Sequence, residues 1–241
     1  MPRHARIILA NVPIHLIQRG HNRQACFFAD QDYCTYLEWL RLHAMQTDCT
    51  IHAYTLMSNH VHMLLSASTA TALAAMMKAQ NQRYVRYVNK TYRRTGTLWE
   101  GRFRSCLTQE DGYFFNCQRY IELNPVRAGI VAHPADYHWS SYRANAEGLS
   151  DLLVRPHALY DALGEDDAQR QSAYRALFAH ELRSELVEQI RRATNGNYAL
   201  GNALFTTQLN KTLGRAVTPS KGGRPRKTTQ PGSNLAFEFE D

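Results

Sequence analysis

His60 and His62 stand one residue apart in the apolar run YTLMSNHVHMLLS, Tyr54 to Ser66. Alternate residues of a strand share a face, so both imidazoles project together with about 7 Å between their Cα atoms, within reach of one cation. That is half of a metal site. Further along, TQEDGYFFNCQRYIELNPVRAGIV places Tyr113, Cys117, Tyr120 and Asn124 at i, i+4, i+7 and i+11, a single helical stripe. Tyr120 and Asn124 are one turn apart. A phenol and a carboxamide facing a two-histidine strand supply a nucleophile and an oxygen ligand. Two nitrogens plus oxygen suit a divalent cation that also carries substrate phosphate and water. Each residue also has an ordinary structural role open to it: a hydrogen-bonded core histidine, a core tyrosine whose hydroxyl finds a partner, a helix-end asparagine before Pro125. His15, on the first strand, either lines the site or packs as a hydrogen-bonded histidine.

The elements that must position these groups are legible as periods. Residues 6–19 are rich in β-branched and aliphatic side chains and end at Gly20-His21-Asn22-Arg23, which reads as a strand with a basic turn. Asp30 is the expected N-cap of a helix over 30–46, where Tyr33, Tyr36, Leu37, Leu40 and Ala44 form the apolar stripe. Strands over 51–57 and 59–66 are joined as a hairpin, followed by a helix over 70–93 that Gly96 stops. Alternation over 97–108 predicts a strand with one packed and one basic face, and a third helix occupies 110–124. The order β-α-β-β-α-β-α predicts an α+β fold of the ferredoxin-like, split βαβ kind, an antiparallel sheet with helices on one face.

The 28 Lys and Arg against 21 Asp and Glu give a net charge of +7, which favours a polyanionic partner. Five scattered cysteines without C-x-x-C spacing point away from a disulfide framework or zinc ribbon and toward a reducing cytoplasm. There is no signal-peptide pattern, and no run approaches the roughly 18 apolar residues of a membrane span. After residue 145 the composition becomes helical and partly acidic, giving an accessory helical region over 146–215. Residues 216–241, rich in Gly, Pro, Ser and Thr, are expected to be a flexible basic tail.

Five blocks, RGHNRQACFF (19–28), MSNHVHMLL (57–65), GTLWEGRFRS (96–105), YIELNPVRAGIV (120–131) and HWSSYRA (138–144), closely resemble, in order, the IS200-like single-tyrosine transposases, most of all their REP-associated branch. The resemblance spans nearly all of 1–145 and implies a single-strand DNA endonuclease and strand transferase of the histidine-hydrophobic-histidine type. It implies that His60 and His62 bind Mg2+ or Mn2+, that Asn124 takes the place of a third ligand which is often glutamine, and that Tyr120 is the nucleophile forming a 5′-phosphotyrosine. The implied partner is single-stranded or hairpin DNA of REP-like palindromes, acted on by a monomer in preference to a dimer with shared sites.

Arg19, His21, Arg23, Arg102 and Arg104 are candidate phosphate contacts. In the tail, Lys221, Arg224, Arg226 and Lys227 resemble an AT-hook core in which Gly222 replaces the usual first arginine, so a phosphate-binding arm is the expected role. Two rivals are a DNA-binding regulator that has kept the fold without cleaving and a metallohydrolase using activated water. The complete His60, His62 and Tyr120 set argues against the first. The second would need a further acidic ligand, for which Asp48 is the only nearby candidate.

Overall fold

In the computed structural model, which describes residues 5–219, the run Ile14–Arg19 forms β1 and is followed by α1 (Asp30–Gln46), β2 (Cys49–Met57), β3 (His60–Ala67), α2 (Ala70–Thr91) and β4 (Arg104–Thr108). α3 (Glu110–Glu122), α4 (Asn124–Arg127), α5 (Tyr142–Glu147), α6 (Ala158–Asp161), α7 (Asp167–Ala176), α8 (Ser184–Gly196), β5 (Ala199–Leu200) and α9 (Ala203–Leu213) complete the order. The strands lie β2-β3-β1-β4-β5, with the first four antiparallel and β5 parallel to β4. The first four in this order are the ferredoxin-like arrangement the sequence predicts.

Period-2 alternation sorts the sheet's residues between two cores. Ile14, Leu16, Val61, Met63, Leu65 and Leu107 face α1 and α2, where Tyr36, Leu40, Leu73, Met77 and Tyr84 close the larger core. Ala53, Leu64 and Cys106 face the other way, toward Phe114, Cys117, Tyr120 and Ile121 of α3 and Val187, Ile190 and Ala193 of α8. Helices therefore cover both faces of the complete sheet. The one-face arrangement expected from the sequence holds only for α1 and α2, because the apolar alternation of β1, β3 and β4 leaves a second face that α3 and α8 bury.

Four boundaries differ from the sequence expectation. β1 begins at Ile14, because Asn11 adopts φ 59° and Pro13 has no N–H to pair. The strand expected over 97–108 is regular only from Arg104. Trp99 bridges Gly20, Glu100 N–H donates to the Arg19 carbonyl, and then Gly101 at φ 149° breaks the ladder. Asp30 is not the cap of α1. The N-cap is Ala29, and the buried Asp32 carboxylate accepts from the Phe28 and Ala29 N–H groups and from the hydroxyls of Tyr87 on α2 and of Tyr92 just after it. α3 stops at Glu122 and not at 124, with Leu123 (ψ 1°) separating it from α4. Pro125 cannot donate back to Ile121, and the Thr55 hydroxyl of β2 donates to that Ile121 carbonyl instead at 2.9 Å. Thr55 pairs in register with His62, so this bond docks the end of α3 beside the histidine strand.

Candidate active site

The register of β1 and β3 places Ile17 opposite His62 and Arg19 opposite His60, on the face covered by α3 and α8. His15, Arg19, His60, His62, Tyr120, Asn124, Arg127, Arg191, Thr194 and Asn195 line one cavity of about 300 Å³ there. Its lining includes three arginines and no carboxylate.

The two histidines are held from behind. His62 Nδ1 lies 2.8 Å from His15 Nε2, His15 Nδ1 lies 2.9 Å from Thr194 Oγ1, and Thr194 donates to the Ile190 carbonyl at 2.8 Å. Because the threonine proton is committed to Ile190, Thr194 must accept from His15 Nδ1–H. His15 Nε2 is then an acceptor, and His62 must donate from Nδ1. One chain of bonds thus fixes both tautomers. His60 Nδ1 lies 2.6 Å from Asn59 Oδ1, an acceptor whose own amide nitrogen donates to the Arg23 carbonyl. Nε2 of both rings makes no hydrogen bond to the described residues, and the ring centroids are 5.0 Å apart.

Burial, reinforced by the Arg19 charge, lowers His60 to about 4; burial and Arg127 lower His15 to about 3. His62 is pushed well below its ordinary value, first by burial and then by His60, His15, Arg127 and Arg19. All three rings are neutral at neutral pH, the form a metal ligand requires.

Tyr120 is 5% exposed, with its ring 5.7 Å from that of His62 and 5.5 Å from that of His15. Asn124 lines the same cavity from the first residue of α4. The donor set fits a divalent cation: two neutral imidazole nitrogens with fixed second nitrogens and one carboxamide oxygen. Among the described residues no group of three or more His, Cys, Asp or Glu side chains could hold a metal; of the two asparagines lining the cavity, Asn195 Oδ1 accepts from Arg104, which leaves Asn124 as the carboxamide for a third position.

Of the expected stripe on α3, Tyr120 and Asn124 reach the cavity. Cys117 is fully buried against Thr108, and Tyr113 packs on the core. Among the candidate phosphate contacts, Arg19 lines the cavity and an adjoining groove that also holds Arg102 and Arg104. Arg104 is tied to Glu100 at 3.6 Å and to Asn195 at 3.1 Å. His21 and Arg23 sit exposed on the turn after β1 and line neither space. Lys221, Arg224, Arg226 and Lys227 lie outside the described residues. Sequence reasoning missed Arg127, Arg191, Thr194 and Asn195. Arg127 follows Asn124 by one turn and could have been found by extending the stripe; the other three come from α8, where nothing local marks them.

The model of the family described as IS200-like transposase matches residues 9–124, which hold β1 to β4, both histidines, Tyr120 and Asn124. Residues 9–124 belong to the IS200-like transposase family. A solved structure of a REP-associated tyrosine transposase bound to a REP hairpin shares the fold, at a TM-score of 0.51 and 16% identity, covering 65% of this chain and 93% of that one. A putative transposase from Deinococcus radiodurans is 20% identical over 54% of this chain and 92% of that one, at a TM-score of 0.35. No curated protein matches the chain. Among the described residues, no helix is long and apolar enough to cross a membrane.

Proposed function

We propose that the protein is a Mg2+- or Mn2+-dependent endonuclease and strand transferase acting on single-stranded or hairpin DNA, with Tyr120 as nucleophile. The observation that carries this reading is the cavity itself. Tyr120, two neutral histidines whose Nε2 atoms have no partner among the described residues, and three arginines with no carboxylate lining the space beside them converge on one cavity. Such a space attracts a phosphodiester and repels an acidic peptide or a carboxylate substrate.

His60, His62 and Asn124 would hold the cation, which when bound supplies Lewis-acid polarisation of a phosphate oxygen. The chain's own residues do the rest. His15 and Asn59 fix the two imidazoles, so the orientation of both ligand rings relative to Tyr120 is set before DNA arrives. Tyr120 Oη then forms a bond to phosphorus as the P–O3′ bond breaks. The phenol proton passes to solvent, the departing 3′ oxygen takes one up, and a 5′-phosphotyrosine remains. One phosphoester replaces another, so the 3′-OH reverses the step on a new or original strand without ATP.

Tyr120, His60 and His62 of a single chain line the cavity, which supports a site completed in cis and therefore a monomer. The REP hairpin in the solved relative makes palindromic hairpin DNA the substrate to test first. A hairpin labelled at either end is expected to be cut in Mg2+ or Mn2+ and left intact with EDTA or with His62→Ala. Cleavage that survives both would contradict the metal assignment. Tight binding with no cleavage under any metal would favour a DNA-binding regulator.

A further inference from the structure

Arg127 is the one charged side chain of α4, and of the three cavity arginines it is the one placed over the nucleophile's ring. Its guanidinium carbon sits 4.2 Å from the centroid of the Tyr120 ring. Nε and Nη1 are buried and donate to none of the described residues. The ion pairs among the described residues are Arg104 with Glu100 and Arg170 with Asp167, so Arg127 has no acidic partner, and the nearby charge on Arg191 repels it. A guanidinium stays charged in any protein site, and withdrawing it from water without an anion is costly. A chain that nevertheless holds it here has left a place for an anion that comes from outside.

We propose that Arg127 is a further catalytic residue, binding a non-bridging oxygen of the scissile phosphate beside the Tyr120 ring. The inference rests on the strand-transfer reading of the same cavity. The phosphate would then meet two kinds of cation: the metal ion that His60 and His62 would hold, and the planar guanidinium over the nucleophile's own ring. As Tyr120 Oη bonds to phosphorus and the bond to O3′ breaks, charge on the equatorial oxygens is met by Arg127 without reorganisation, and the same contact holds the phosphotyrosine until the 3′-OH returns. The position of Arg127 one turn beyond Asn124 makes α4 a two-residue tool, with one residue for the cation and one for the phosphate.

Full-length Arg127→Met and Arg127→Lys test this. Methionine keeps the packing on the Tyr120 ring and removes the charge; lysine keeps the charge and loses the planar fork. Three quantities are read: the single-turnover rate of covalent adduct formation on hairpin DNA, hairpin affinity, and binding of inorganic [32P]phosphate by equilibrium dialysis. For Arg127→Met the adduct rate is expected to fall about 100- to 1,000-fold, and phosphate affinity about tenfold. Hairpin affinity is expected to change less than about threefold, because many other phosphates are gripped. Arg127→Lys should recover part of both losses, with thermal midpoints of both variants close to wild type. A wild-type adduct rate in Arg127→Met overturns the proposal, and so does phosphate binding that does not differ from wild type. If the wild-type protein itself forms no adduct, the strand-transfer reading fails, and the dialysis comparison alone decides whether Arg127 binds phosphate.

Discussion

At the scale of single residues, the site depends on proton positions as much as on ligand identity. His62 presents Nε2 to the cavity because His15 takes its Nδ1 proton, and His15 can take it because Thr194 takes the next. Removing His15 frees His62 to rotate or change tautomer. His15→Ala is therefore expected to weaken Mn2+ binding in the presence of hairpin DNA by about 10- to 100-fold, with Thr194→Val acting in the same direction more weakly. Calorimetric titration reads both, and wild-type affinity in His15→Ala would contradict the assignment. The His60-Val61-His62 pair was legible because strand alternation alone puts both rings on one face and Val61 in the opposite core. His15 was half legible, being on the right strand without a register to say which face it shared. Thr194 was not legible. Its bond to His15 spans 179 residues and exists only because α8 packs on β4 and β1.

At the scale of elements, the reach of Tyr120 depends on how α3 is anchored. Two residues after the tyrosine, the fully buried Glu122 carboxylate accepts from Ser141 Oγ at 2.6 Å, Asn145 Nδ2 at 2.9 Å and Tyr174 Oη at 2.7 Å. Burial raises its pKa to about 7 while these three donors pull it back. The network ties α3 to α5 and α7. Glu122→Ala would leave three buried donors without their acceptor and is expected to cost about 2 to 4 kcal/mol in urea unfolding. It should also slow adduct formation more than it weakens hairpin binding. Unfolding at the wild-type midpoint would show that the network does not anchor the helix. The helix-strand alternation through Glu122 could be read from the sequence, since long apolar periods fix element type. The ends could not, because the breaks at Pro13, Gly101 and Pro125 depend on neighbouring bonds, Thr108 N–H to the Pro13 carbonyl, Glu100 N–H to the Arg19 carbonyl and the Thr55 hydroxyl to the Ile121 carbonyl, that exist only in the folded sheet.

At the scale of the whole molecule, two effects follow from charge. The first concerns buried neutral histidines, for which His52 is a probe remote from the cavity. It is held by Ser66 Oγ and the Arg155 carbonyl, and burial lowers it from 6.5 to about 4. Between those values the unfolded chain binds a proton that the native state refuses, so stability falls as pH falls through 6.5 toward 4. The wild-type protein should lose about 1 kcal/mol more than His52→Gln between pH 6.5 and 5.5, and equal losses in urea titrations would contradict this.

The second effect concerns metal and DNA. A cavity with three arginines and no carboxylate holds a dication poorly until a phosphodiester supplies negative charge. Mn2+ should bind the hairpin complex about 5- to 150-fold more tightly than the free protein, with the reciprocal effect of Mn2+ on hairpin affinity. Equal Mn2+ affinity with and without DNA would contradict that coupling.

The claim on which these effects converge is that Tyr120 becomes covalently joined to DNA. The most direct measurement is to incubate the protein with hairpin DNA and Mn2+, digest both polymers, and locate the nucleotide-modified peptide by mass spectrometry. The expected result is a 5′-nucleotide on Tyr120 in the wild-type protein and no modified peptide from Tyr120→Phe. Modification of another residue, or cleavage with no modified peptide at any time point, would contradict it.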